Sequence, residues 1–116
     1  TTEIYTLSLH DALPICVHFV SGDMLELGEQ SANLHAEIGR YAAEKRINWI
    51  YAAGPFAQDL AKGALAAGCR ENRIRTGTRD EVAQLLLEEV RSGDWVLVKG
   101  SRGMAMEKVV SALMDA

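Results

Sequence analysis

The sequence is short of cysteine, aromatic residues and positive charge, and each shortage excludes something. Cys16 and Cys69 are its only cysteines. They have neither C-x-x-C spacing nor a histidine cluster beside them, so they read as reduced thiols, with no metal. No stretch reaches the roughly 18 consecutive apolar residues of a membrane span, and the N-terminus lacks the basic start and cleavage site of a secretory signal. A cytoplasmic location with no membrane span is therefore expected. Lys+Arg 12 against Asp+Glu 16 leaves a net charge of −4, and aromatics make up 6%. Without a basic stripe, no nucleic-acid partner is expected. Internal repeats and low-complexity linkers are also missing.

What remains is a chain of 116 residues, 48% of them apolar, which suits one small globular domain. A domain of this length buries roughly two-thirds of the surface its unfolded chain exposes. Short β-branched or apolar runs alternate with amphipathic stretches along it. Val17–Val20 reads as a buried strand broken at Ser21-Gly22-Asp23. Leu34, Ile38, Tyr41 and Ala42 then recur at helical spacing, which predicts a helix from about Ser31 to Arg46 with those residues on its buried face. Trp49–Ala52 is the next strand, ended by Gly54-Pro55. Phe56, Leu60, Ala64 and Ala67 share a helical face that stops at Gly68. Arg73-Ile74-Arg75 is a weak strand. Thr78 and Glu81 form a capping box opening a helix that ends near Gly93. Trp95–Val98 is the last strand, and Met106, Val109, Val110 and Leu113 form a closing helical face. Tyr51 and Trp95 are expected to fill the faces of the sheet, and Met104, Met106 and Met114 the packing surface of the last helix.

Strict alternation with short connections implies a parallel sheet covered by helices on both faces, since parallel neighbours need right-handed crossovers. The expected class is α/β, a Rossmann-like three-layer sandwich with a mainly parallel sheet. Residues 1–16 do not fit this scheme. Glu3 to Ile15 looks like a translated sequencing adapter, so 1–16 reads as a non-native leader and 17–116 as the domain proper, truncated at its N-terminal edge. The alternative is an ordinary N-terminal strand with alternating Tyr5, Leu7 and Leu9.

Ligands of an open parallel sheet bind beyond the carboxyl ends of its strands, where helix N-termini offer unpaired N–H groups. Glycines gather at those ends: Gly22, Gly28, Gly54, Gly77, Gly100 and Gly103. They suit either close approach of a ligand or plain turn chemistry. Lys99-Gly100-Ser101-Arg102-Gly103 combines two cations, a hydroxyl and flexible backbone. Ser101 can cap the following helix, and Arg102 can grip a carboxylate with two parallel hydrogen bonds. The alternative is a capped helix with solvated Lys99 and Arg102. The segment is not a Walker A loop, since the lysine precedes the Gly-Ser pair. Asp23 and Glu26 are loop carboxylates suited to an ammonium or a metal-bound water, or simply to solvation. His35 reads as a half-buried structural residue.

Gly22-Asp23-Met24-Leu25-Glu26-Leu27-Gly28, then Leu34-His35, Gly39 and Ala42, and finally Val96 to Met104 with Met106-Glu107, resemble the C-terminal domain of a Mur ligase, most of all the branch that adds D-alanyl-D-alanine. The resemblance covers about Val17 to Ala116. It implies an ATP-dependent ligase of peptidoglycan precursor synthesis. ATP phosphorylates the carboxylate of UDP-N-acetylmuramoyl-tripeptide, and the amine of D-alanyl-D-alanine displaces phosphate from the acyl phosphate. By resemblance, Asp23, Met24 and Leu25, Gly54, Pro55 and Phe56, and Gly100, Ser101, Arg102 and Gly103 surround the dipeptide. Lys99 could face the transferred phosphate. ATP and Mg2+ would be held mainly by the central ATPase domain, outside this chain, so the fragment alone is expected to be inactive and carries no catalytic or metal residue. Ser21 departs from the apolar residue usual before Gly-Asp-Met, and the family's opening Asp-x-Tyr-Asn-x-Asn-Pro segment does not occur. The other reading is a stand-alone Rossmann-like module that binds a small anion or nucleotide.

Overall fold

The alternation resolves, in a computed structural model that describes residues 2–8, 16–24, 28–101 and 104–115, into a sheet with helices on both faces. Strands β1 (Thr2–Ser8), β2 (Val17–Ser21), β3 (Trp49–Ala53), β4 (Ile74–Gly77) and β5 (Trp95–Ser101) form one 5-stranded sheet in the order β1-β5-β2-β3-β4. From β5 through β4 all neighbours run parallel, as their intervening helices require. Helices α1 (Ser31–Glu44) and α2 (Ala57–Ala66) pack on one face, α3 (Arg79–Glu89) and α4 (Glu107–Met114) on the other. This is the Rossmann-like three-layer sandwich that the alternation predicts.

Side chains alternate between the faces along each strand. Phe19, Ile50 and Ala52 meet Ala42 of α1 and Leu60 and Ala64 of α2. Val20, Tyr51, Val96 and Val98 meet Val82 and Leu86 of α3 and Val109 and Leu113 of α4. The capping box forms as its spacing predicts: Glu81 N–H donates to Thr78 Oγ1 at 3.1 Å and Thr78 N–H donates to Glu81 Oε1 at 2.8 Å. No helix among the described residues is long and apolar enough to cross a membrane.

Several expectations are corrected. Residues 2–8 form β1, antiparallel to β5 from Thr2 opposite Ser101 to Ser8 opposite Trp95, so the edge beside β5 is paired whether the segment is a leader or an ordinary N-terminal strand. β2 pairs β5 as far as Lys99, and β1 carries it on to Ser101. Ser101 therefore does not cap the following helix, because α4 starts only at Glu107, with Met106 at its N-cap and no side-chain cap. The buried face of α1 is Ser31, His35, Gly39 and Ala42, whereas Leu34 and Tyr41 are 42% and 58% exposed. The cause is the crossing of α1 over α2. A Cβ on Gly39 would lie 1.9 Å from the Leu60 carbonyl oxygen, and one on Gly63 1.9 Å from that of Ala36. Backbone touches backbone there, and the contact sets the rotation of α1. Tyr51 and Met106 are fully buried as expected. Trp95, at the start of its strand, and Met114, at the last turn of α4, are 37% and 66% exposed.

At the amino ends of the strands a buried polar chain ties sheet to loops. His18 Nε2 lies 2.8 Å from Asp94 Oδ2, which also accepts Arg91 N–H at 2.9 Å, and His18 Nδ1 lies 3.0 Å from the Tyr51 hydroxyl. Burial, then the negative charge of Glu89, pushes the Tyr51 phenol well above its ordinary range. The hydroxyl keeps its proton and stays a donor.

Candidate functional site

Topology selects one place at the opposite end. β2 and β5 are parallel neighbours, but the chain leaves β2 toward α1 on one face and β5 toward α4 on the other. Their loops diverge at the carboxyl ends of the strands, which leaves a crevice, the usual ligand position in an open α/β sheet. Gly22 N–H donates to the Lys99 carbonyl at 2.7 Å across its floor. On the α4 side Met106 fills it: a Cβ on Gly22 would meet its Sδ at 2.7 Å, and one on Gly100 its Cγ at 2.6 Å. Gly22 and Gly100 are thus explained by the seating of Met106. On the α1 side the crevice stays open into an apolar groove of about 830 Å³ lined by Phe19, Met24, Ile38, Tyr41, Leu97 and Lys99, among others.

Beside it sits a buried carboxylate, Asp23. Asp23 is 1% exposed, and its Oδ1 accepts Phe56 N–H at 3.2 Å at the start of α2, while Oδ2 has no hydrogen-bond partner. Burial raises the Asp23 carboxyl above its ordinary 3.8. Phe56 N–H and His35 pull it back down, and Asp59 adds to the rise. Gly54, at φ +106°, lies against this carboxylate, with a would-be Cβ 2.7 Å from Asp23 Cγ. A side chain there would be strained and would also clash.

The imidazole of His35 joins these parts. Its Nδ1–H donates to the Ser31 carbonyl at 2.6 Å, its Nε2 accepts Met24 N–H at 3.0 Å, and its ring stacks on Phe56 at 4.9 Å. With the Nε2 lone pair turned to Met24, the 3.8 Å approach to Asp23 Oδ1 is a contact rather than a hydrogen bond. A smaller recess of about 400 Å³ opens where β3 and β4 end, lined by Gly54, Pro55, Gln58, Thr76, Thr78 and Glu81. Carboxylates already occupy both adjoining helix starts, Asp23 at α2 and Glu81 at α3. An anion has no vacant N–H to claim at either contact.

The residues named from sequence therefore fall into separate groups. Met24 and Lys99 share the groove, Gly54 and Pro55 line the recess, and Asp23 and Phe56 meet between β2 and β3. Gly100 lies under Met106. Leu25, Arg102 and Gly103 are outside the described residues, as is Glu26, and the Ser101 side chain is not described. Among the described residues there is no group of three His, Cys, Asp or Glu side chains that could hold a metal ion. His35 is the residue whose importance the sequence understated. Its only signal was a histidine beside Leu34 on a helix following Gly-Asp-Met.

Comparison with known proteins gives this geometry a context. The Mur ligase, glutamate ligase domain family matches residues 7–102. The UDP-N-acetylmuramoyl-tripeptide--D-alanyl-D-alanine ligase of Bacillus subtilis (strain 168) is 31% identical over 97 residues, covering 84% of this chain and 21% of its own length. That of Escherichia coli (strain K12) is 33% identical over 96 residues, 83% of this chain and 20% of its own. In a crystal structure of MurF from Acinetobacter baumannii, 22% of the chain aligns with 87% of this one at TM-score 0.74 and 28% identity. The chain thus spans about a fifth of the length of the relatives it matches.

Proposed function

Given that the chain belongs to the Mur ligase, glutamate ligase domain family, we propose that it is the C-terminal, incoming-substrate domain of a cytoplasmic ligase that adds D-alanyl-D-alanine to UDP-N-acetylmuramoyl-tripeptide in peptidoglycan precursor synthesis. The observation that carries this reading is the joint likeness to dipeptide-adding ligases in sequence and in fold. The domain proper runs over 17–116, and residues 1–16 stand as an added leader. A central ATPase domain elsewhere in the polypeptide holds ATP and Mg2+. ATP phosphorylates the tripeptide carboxylate and leaves as ADP. The dipeptide amine attacks the acyl carbon, and the carbon–oxygen bond to phosphate breaks as the amide forms and the amine gives up its proton.

This chain's part is to hold the dipeptide. Met24 and Lys99 line the open groove, and Leu25, Gly100, Ser101 and Gly103 are read as belonging to the same substrate-binding set. Arg102 and the backbone N–H groups beside it take the dipeptide carboxylate, a bidentate match that arginine makes well. Lys99, half-buried and lining the groove, is read as facing the phosphate being transferred. Gly54 and Pro55 line the neighbouring recess; with Phe56 they are read as the wall beside it, and Asp23 holds that wall from behind through Phe56 N–H. Fixing one reactant on a domain that closes over the other turns an encounter in solution into a positioned reaction.

Titrating the isotopically labelled chain with D-alanyl-D-alanine tests the reading. The amides of Met24, Phe56 and Lys99 are expected to shift with the D,D dipeptide and not with L-alanyl-L-alanine. No shift, or shifts confined to the His18 end, contradicts it. Shifts produced at the same amides by ATP alone favour a stand-alone anion- or nucleotide-binding module instead.

A further inference from the structure

We propose that His35 is the positioning residue of the candidate site, a single imidazole that fixes the β2 loop and the β3 loop relative to each other; this rests on reading those loops as walls of the substrate site. Three segments converge on it. Ser31, in the first turn of α1, takes the Nδ1 proton through its carbonyl; Met24, in the loop after β2, donates its N–H to Nε2; and Phe56, in the loop after β3, lies flat on the ring with planes 18° apart. The ring is 1% exposed, so it touches no ligand and acts only through these neighbours.

The hydrogen-bond pattern makes the arrangement specific. A neutral imidazole has one donor and one acceptor, and here the Ser31 carbonyl claims the first and Met24 N–H the second. A phenyl ring would keep the stack and lose both bonds, and a hydroxyl would lose the stack. The closest backbone approach of α1 to α2 lies further along, at Gly39 and Gly63. The same ring lies 3.8 Å from Asp23 Oδ1, whose other bond is to Phe56 N–H. Met24, Asp23 and Phe56, residues of both walls, are thus set by one side chain.

The test compares His35→Ala and His35→Gln in the full chain by amide hydrogen exchange. In His35→Ala, exchange at Met24 and Phe56 is expected to rise by about tenfold or more while Val20 and Val98 in mid-sheet keep their rates, the mark of local rather than global opening. In His35→Gln, the amide oxygen reaches toward the place of Nε2, so Met24 regains slow exchange while Phe56, without the stack, does not. D-alanyl-D-alanine binding is expected to weaken roughly tenfold in His35→Ala and to recover in part in His35→Gln. Unchanged exchange at Met24 and Phe56, or an even rise across the whole sheet, overturns the proposal. If His35→Ala does not fold, His35→Gln decides alone: Phe56 exchanging at the native rate is then the contrary result. A native chain that does not bind the dipeptide refutes the substrate reading and leaves the exchange data to judge the positioning role.

Discussion

At the scale of single residues, the site is governed by what is buried rather than by what is exposed. Asp23 reads from the sequence as a loop carboxylate facing a ligand, yet the fold turns it inward against Phe56 N–H and Gly54. Its position was legible and its orientation was not, because orientation depends on the β3 loop, 33 residues away. Burial raises its folded-state pKa above the unfolded value. The folded chain then binds the proton more tightly than the unfolded chain, so stability is greatest below the unfolded pKa and falls as pH rises through the folded one. Asp23→Asn keeps an oxygen for Phe56 N–H and has no charge to desolvate. As pH rises from below the ordinary 3.8 through the raised folded-state pKa, its urea-unfolding stability should therefore gain on that of the native chain. A parallel pH dependence in both proteins would contradict this account. Gly54→Ala combines left-handed strain with a clash against the same carboxylate, and a loss of about 1–3 kcal/mol or more is expected in the same assay.

At the scale of elements, signals within one element were legible and signals between elements were not. The Thr78–Glu81 box states its own geometry within a few residues, and α3 begins where the box says. Thr78→Ala should cost about 1 kcal/mol by thermal or urea unfolding. The rotation of α1 could not be read from its own apolar residues, since Gly39 and Gly63 set it by letting two backbones meet. Gly39→Ala pushes a methyl group into a carbonyl oxygen that cannot move without parting the helices. Overpacking of this kind costs about 1–3 kcal/mol, and here the upper end or beyond is expected. A neutral result in chemical denaturation would mean that the crossing is looser than its geometry implies. The end of β5 was likewise hidden, because β1 supplies the pairing that extends it beyond Lys99 to Ser101.

At the scale of the whole molecule, strand and helix alternation was enough to give the layers and the parallel sheet, since few topologies satisfy short right-handed crossovers. Strand order was not given by it. The reversal between β2 and β5, which opens the crevice at Met24 and Lys99, follows from where β5 inserts. Residues 1–16 read as an added leader or as an ordinary N-terminal strand, and the place of Thr2–Ser8 beside β5 is one that either can take. Deleting residues 1–16 should expose the β5 edge and raise the tendency to aggregate, as measured by light scattering on heating.

The central claim is that this chain supplies the incoming-substrate side of a dipeptide-adding ligase. The most direct measurement replaces the corresponding region of the Bacillus subtilis relative with residues 17–116 and follows phosphate release with ATP, UDP-N-acetylmuramoyl-tripeptide and D-alanyl-D-alanine. The account predicts release that depends on D-alanyl-D-alanine and falls by about a hundredfold in Arg102→Ala, the scale for one lost charge-stabilising contact. A folded chimera that binds ATP and tripeptide but releases no phosphate in response to the dipeptide would contradict it.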